Sequence, residues 1–303
     1  MRDEEGFKPP PYPYDRLDEL KPLAAHHEGG IVDCSIGTPI DAPPKQVVEA
    51  LANSDMERSY PPSIGTLAFR EEIASWSLSR LGCKVDPATE IAAAVGTKEF
   101  VAGLPHWMKL RDPNRDTVLY PAVSYPSYEM GATLAGCRSV AVPVDENWSI
   151  QLEAVSKEDR ARALLLWVNT PGNPAGGLDD LDAVANWGRT NQIPVFSDEC
   201  YCEFTWDGSP RTILSSGTQG VVSVHSLSKR SNLAGLRAGF YVGDPDIVDY
   251  LREVRKHAGF MVPGPAQAAA VAALSDQDHV EQQRETYWNR LNRLSNILSK
   301  MGE

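Results

Sequence analysis

Residues 163–201 read ALLLWVNTPGNPAGGLDDLDAVANWGRTNQIPVFSDECY, and the architecture is most legible in these residues. Its opening run, Ala163–Val168, is apolar without interruption, as in a strand covered on both faces. A turn rich in Gly and Pro follows, then apolar residues at helical spacing over Leu178–Thr190, then a second apolar run, Ile193–Ser197. Strand, helix and strand in that order make the unit of a parallel sheet. The segments Asn173-Pro174-Ala175-Gly176 and Asp198-Glu199-Cys200-Tyr201 then fall at carboxyl edges of strands, where open α/β sheets bind ligands.

On either side, further strand candidates are Thr117–Tyr120, Ser139–Val144, Val221–His225 and Ala238–Val242, with helix-like Lys98–Leu110 and Pro126–Leu134 among them. The pattern predicts an α/β domain with a mainly parallel sheet and helices on both sides. Residues 1–30 are rich in Pro, Tyr and charge and read as an arm. After Pro245 the pattern is helical: Asp246–His257, Pro265–Leu274 and a long polar helix over His279–Lys300. That helix is still in pattern at Gly302–Glu303, so a further C-terminal segment is expected.

The 303 residues are 42% hydrophobic and 23% charged, which fits a globular protein and not a disordered one. With 29 Lys plus Arg against 41 Asp plus Glu, the formal charge is −12. Such a balance argues against a general nucleic-acid or anionic-membrane binder, and an anionic substrate would need a local cluster of cations. The longest stretch without charge, Ala258–Ser275, contains Gly259, Pro263, Gly264 and Pro265 and is a poor membrane span. The opening MRDEEGFKPP lacks the apolar core of a signal peptide. Five cysteines without a C-x-x-C suggest reduced thiols, so a cytoplasmic protein is expected.

The segment Ser226-Leu227-Ser228-Lys229-Arg230-Ser231-Asn232-Leu233-Ala234-Gly235-Leu236-Arg237 follows the strand-like VVSVH. Arg237 offers a bidentate fork and Ser226 a short donor, both suited to phosphate oxygens. Lys229 offers an amine that attacks carbonyls if burial or nearby cations lower its pKa. An isolated lysine of this kind is ordinarily a solvated side chain. Gly96-Thr97-Lys98-Glu99 opens a helix after the run IAAAV, and its N–H groups and dipole make an anion site. Taken singly, N-P-x-G is a turn signal and Asp198 a helix cap.

Taken in order, G-T-K-E, P-x-x-S-Y-P, N-P-x-G, D-E-x-Y and S-x-S-K with an arginine eight residues later carry more. From roughly Val32 onward the chain resembles the fold-type-I, class I/II aminotransferases, whose cofactor is pyridoxal 5'-phosphate. The resemblance implies a large domain (36–260) with a mainly parallel, mixed seven-stranded sheet between helices. It also implies an arm and part of a small domain over 1–35, with an interdomain helix and the start of a C-terminal small domain over 261–303. Lys229 would hold the cofactor covalently and shuttle the proton, and Asp198 would pair with the pyridine nitrogen. Tyr201 and Asn173 would bond its phenolic oxygen, and Tyr125 would stack on the ring. Ser226, Ser228 and Arg237, with backbone donors at Thr97 and Lys98, would hold the phosphate. Tyr60 would reach the phosphate of a second subunit, making a homodimer. Gly37 would lie beside the substrate carboxylate, and the arginine that clamps that carboxylate in the family would come after Glu303.

The segments SLSKRSNLAGLRAGF and RKHAGFMVPGPAQ, with the opening PYPYDRLDEL, look closest to the bacterial N-succinyldiaminopimelate aminotransferases. That branch implies transfer between glutamate and N-succinyl-2-amino-6-oxopimelate in lysine and diaminopimelate synthesis, with 2-oxoglutarate completing the donor pair. Arg255 then becomes a candidate for binding the distal substrate, against a plainer role complementing its helix dipole. The alternatives are an aminotransferase of aspartate or broad specificity, a β-lyase on the same scaffold, and a non-catalytic regulatory module. His106, His225 and His257 show no metal spacing, so no metal is expected.

Overall fold

The apolar run at 163 becomes β4 (Ala163–Asn169), and all of its residues are buried. The computed structural model describes residues 6–206 and 208–302; the polar opening 1–5, Asp207 and Glu303 lie outside the described residues. The other strands are β1 (Ile91–Ala94), β2 (Thr117–Pro121), β3 (Arg138–Val142), β5 (Val195–Asp198), β6 (Val221–Ser226) and β7 (Gly239–Gly243). They form one seven-stranded sheet in the order β1-β7-β6-β5-β4-β2-β3. β7 runs antiparallel to both neighbours and every other pairing is parallel. The expected mixed, mainly parallel sheet is therefore present.

Alternate residues of each strand serve two apolar layers. Leu165 and Trp167 of β4 pack with Phe100, Tyr128 and Tyr241, while Leu166 and Val168 belong with Val184, Phe240 and Trp76. The two edge strands differ: β1 is buried along its whole length, whereas only Val142 of β3 is buried.

The helices are α1 (Lys21–Ala24), α2 (Lys45–Ala52), α3 (Leu67–Leu81), α4 (Thr97–Arg111), α5 (Ser127–Leu134), α6 (Lys157–Arg162) and α7 (Leu181–Asn191). They continue with α8 (Leu227–Arg230), α9 (Pro245–His257), α10 (Gly264–Ser275) and α11 (Asp278–Met301). Side chains start several of them: Thr66 accepts from the Phe69 N–H, Asp180 from Ala183, and Asp244 from Asp246 and Ile247. α5 lies so close to α4 that a Cβ on Gly131 would meet the Val101 carbonyl at 3.0 Å. That approach seats Tyr128 deep against the sheet, fully buried.

The chain divides into two compact units, one ending at Pro39 and one beginning at Ile40. The first holds α1 and a short 3-10 turn, Pro13–Leu17, with none of their residues buried. The second holds the sheet and the remaining helices, with α10 contributing Ala266, Ala269, Ala270 and Ala273 to its core. Among the described residues no helix is long and apolar enough to cross a membrane.

Candidate active site

Asp198 ends β5, in register with Asn169 at the end of β4 and Val224 of β6. The carboxyl edges of three adjacent strands thus bring the sequence motifs to one place. Asp198 is buried, and its Oδ2 accepts from the Tyr128 hydroxyl at 3.0 Å and its Oδ1 from the Cys200 N–H at 3.2 Å. Burial pushes its carboxyl up, while the bonds from Cys200 and Tyr128 pull it down. The bond from Cys200 ties the turn after the strand, but Asp198 does not cap the 3-10 helix that follows, Cys202–Phe204, whose N-cap is Tyr201 with no side-chain cap.

The N-P-x-G turn is held by Asn169, whose Oδ1 accepts from the Asn173 N–H at 2.7 Å and whose Nδ2 donates to the Asp198 carbonyl at 2.8 Å. Asn173 in turn donates to the Tyr201 hydroxyl at 3.4 Å. The two residues expected to share one phenolic oxygen are therefore neighbours.

Lys229 stands on α8, directly after β6, where the Ser226 hydroxyl accepts from the Ser228 N–H at 3.1 Å. Burial lowers the Lys229 amine, Cys200 opposes that and Arg237 reinforces it. Arg237 adopts a left-handed backbone with φ of 52° and donates to the Ala234 carbonyl at 2.9 Å. Its guanidinium lies against Gly96, where a Cβ would collide with it, and the φ of 73° there suits glycine as well. Gly96 is the N-cap of α4, so a fixed cation meets the positive end of a helix whose first residues are Thr97 and exposed Lys98. The Cys200 thiol and the Thr97 hydroxyl are 3.4 Å apart and close the ring of contacts.

These groups fit pyridoxal phosphate. A buried carboxylate is costly unless a cation joins it, and a protonated pyridine nitrogen is such a cation. The paired Gly96 turn and Arg237 make an anion cradle, and a depressed amine lies on the turn beside them.

Other expectations stand differently. Tyr125 is half-buried and meets Tyr128 edge-on at 6.2 Å. Tyr60 is 93% exposed on the segment joining α2 to α3, so within one chain it adds nothing to this cluster. Gly37 lies in the unit that ends at Pro39.

Arg255 requires correction. It is 2% exposed, with Nη1 and Nη2 on Glu99 of α4 at 3.1 and 2.5 Å. The rings of Phe100 and Phe260 lie 5.2 and 4.7 Å from its guanidinium. α9 turns this residue inward, where Glu99 and the rings of Phe100, Tyr241 and Phe260 enclose the guanidinium, which corrects its sequence-based reading as an open cationic site. Tyr128, on α5, was missed; its only signal was the three-residue spacing from Tyr125 just before that helix. Glu199 was passed over as well. Fully buried beside Asp198, it accepts from the Ile213 N–H at 2.8 Å and faces the His225 ring at 3.5 Å. Among the described residues no group of three or more His, Cys, Asp or Glu is arranged to hold a metal.

The chain matches the family "Aminotransferase class I and II" over residues 30–303. It is 42% identical to the 4-dedimethylamino-4-oxo-anhydrotetracycline transaminase OxyQ of Streptomyces rimosus, over 97% of this chain and 80% of that protein. It is 40% identical to the probable aminotransferase Rv1178 of Mycobacterium tuberculosis, over 97% and 69%. Among solved structures, the probable N-succinyldiaminopimelate aminotransferase of Thermus thermophilus superposes with a TM-score of 0.87 at 29% identity, covering 95% of this chain and 80% of that one. By sequence, fold and site together, the chain belongs to the pyridoxal phosphate-dependent class I and II aminotransferases.

Proposed function

We propose that this aminotransferase moves an amino group between glutamate and a 2-oxo acid, with Lys229 as the reacting amine. The observation that supports this most directly is the buried Asp198 carboxylate, tied down by Tyr128 and Cys200 at the sheet edge beside the Lys229 turn. When bound, pyridoxal phosphate supplies an electron sink for the substrate carbon. Asp198 keeps the pyridine nitrogen protonated, and Tyr201 with Asn173 orients the phenolic oxygen. Arg237, Ser226, Ser228 and the first N–H groups of α4 hold the phosphate. Lys229, its basicity reduced by burial, holds the cofactor between turnovers and carries the proton within them.

For the acceptor, N-succinyl-2-amino-6-oxopimelate is supported by the segments around Lys229 and Arg255 and by the likeness to the Thermus protein. A bulkier polycyclic ketone is a second reading, favoured by the 42% identity to OxyQ. The functional unit in this reading is a two-fold dimer in which Tyr60 completes the partner's phosphate site. A half-reaction panel tests the chemistry: glutamate alone should shift the visible cofactor band, and the right acceptor should restore it. No shift with glutamate, aspartate or any other amino donor excludes transamination.

A further inference from the structure

Tyr201 sits on a short turn after β5 and Lys229 on the single-turn helix α8 after the adjacent β6, and segments this short do not alone hold a side chain to catalytic accuracy. Each turn also sends one charged residue inward. Glu203, two positions after Tyr201, is 1% exposed; Arg230, next to Lys229, is 4% exposed. They meet through Arg230 Nε and Glu203 Oε1 at 3.1 Å.

The rest of the guanidinium is spent on the helices behind the site. Nη1 donates to the Ala273 carbonyl of α10 at 2.8 Å, and Nη2 to Gln277, which joins α10 to α11, at 2.6 Å. Glu203 also accepts from Trp76 Nε1 at 3.1 Å and from Arg80 at 2.8 Å, and Arg80 continues to Glu281 of α11 at 2.7 Å. Burial opposes ionisation of Glu203, but Arg230 and Arg80 outweigh it and hold the carboxyl below its ordinary value. Buried ion pairs rarely add stability over an apolar pair of the same shape, whereas a rigid fork does fix geometry.

We propose that Glu203 and Arg230 are positioning residues for the aminotransferase site: their pair fastens the Tyr201 turn to the Lys229 turn, and the bonds to Ala273 and Gln277 fasten both to the α10–α11 junction. This rests on the reading of Lys229 and Tyr201 given above.

The test uses the holoenzyme. Arg230→Gln, Arg230→Lys, Gln277→Ala and Lys229→Ala are compared by urea midpoint, visible circular dichroism of the bound cofactor, borohydride trapping with peptide mapping, kcat and glutamate KM. Arg230→Gln should lower kcat about a hundredfold, the effect of a displacement of about 1 Å, with KM unchanged and an altered dichroic band. Arg230→Lys, which keeps the charge facing Glu203, should recover much of both. If Arg230→Gln does not fold, Gln277→Ala carries the test, with kcat lowered about fivefold, the equivalent of one hydrogen bond. A folded Arg230→Gln with wild-type dichroism and kcat, or a Gln277→Ala with neither changed, overturns the proposal. Lys229→Ala should trap no cofactor; trapping at the wild-type level would instead remove Lys229 as the reacting amine, and the inference with it.

Discussion

Two buried arginine–glutamate pairs brace the site from opposite faces of the sheet, and they are built differently. Arg255–Glu99 lies on the face with Phe100 and Tyr241, and Arg230–Glu203 lies on the face with Trp76 and Phe240. In the first, aromatic rings do most of the enclosing, and Glu99 also accepts from the Val95 N–H at 2.8 Å, just before the Gly96 turn. In the second, backbone, amide and indole groups satisfy nearly every donor and acceptor. The first steadies the turn read as the phosphate cradle; the second joins the turns that carry the amine and the phenol. The arginines are almost equally buried, yet the carboxylate of the first pair reaches solvent and that of the second does not, and the partners of each pair reveal which loop it serves.

Arg255→Ala should show the largest effect on stability. Its removal leaves Glu99 without its cation, which costs about 3–5 kcal/mol, toward the lower value because part of that carboxylate reaches solvent. Urea unfolding measures the loss, and KM should change alike for glutamate and for the succinylated acceptor. A rise confined to the succinylated acceptor would return Arg255 to the substrate and break the comparison.

On the face with Arg230 and Glu203 lies Glu199, whose carboxyl burial pushes up to about 7 from an ordinary 4.5. The folded protein keeps that proton over a range where the unfolded chain has released it. The contribution to stability is therefore complete below pH 4.5 and is lost as pH rises through about 7. His225 acts in the opposite sense: burial lowers it to about 3, so its contribution is present above 6.5 and is lost as pH falls. Glu199→Gln removes only the first effect. Relative to wild type, it should gain up to about 3 kcal/mol between pH 4.5 and 8 in urea titrations. A difference that does not vary with pH would mean that burial leaves this carboxyl unshifted.

The smallest effect concerns the site itself. Tyr128→Phe strips one donor from Asp198 and should cost about 1–2 kcal/mol, with kcat lowered about tenfold in a folded protein. Wild-type kcat would show that the Cys200 N–H and the flanking turns suffice to hold the carboxylate.

Much of this was legible beforehand. Unbroken apolar runs mark strands buried on both faces, and β2, β4, β5, β6 and β7 fall on them within one or two residues. The ends shift because apolar runs stop at the first polar side chain, whereas Asp198 and Ser226 are polar yet buried and still pair within their strands. α2 and α3 were not read, and the antiparallel direction of β7 left no local mark.

Local pattern and motif suffice for the alternating architecture, the family, and the placing of Asn173, Asp198, Lys229 and Arg237 at or near strand ends, because those properties are encoded within short stretches of chain. The surroundings of Arg255, Tyr128 and Arg230 come instead from contacts made by the folded chain. Their partners lie 156 residues away for Arg255, 70 for Tyr128 and 27 for Arg230. No periodicity reaches across such distances, and a charged residue on a helix looks the same in sequence whether the fold turns it toward substrate, solvent or the underside of the sheet.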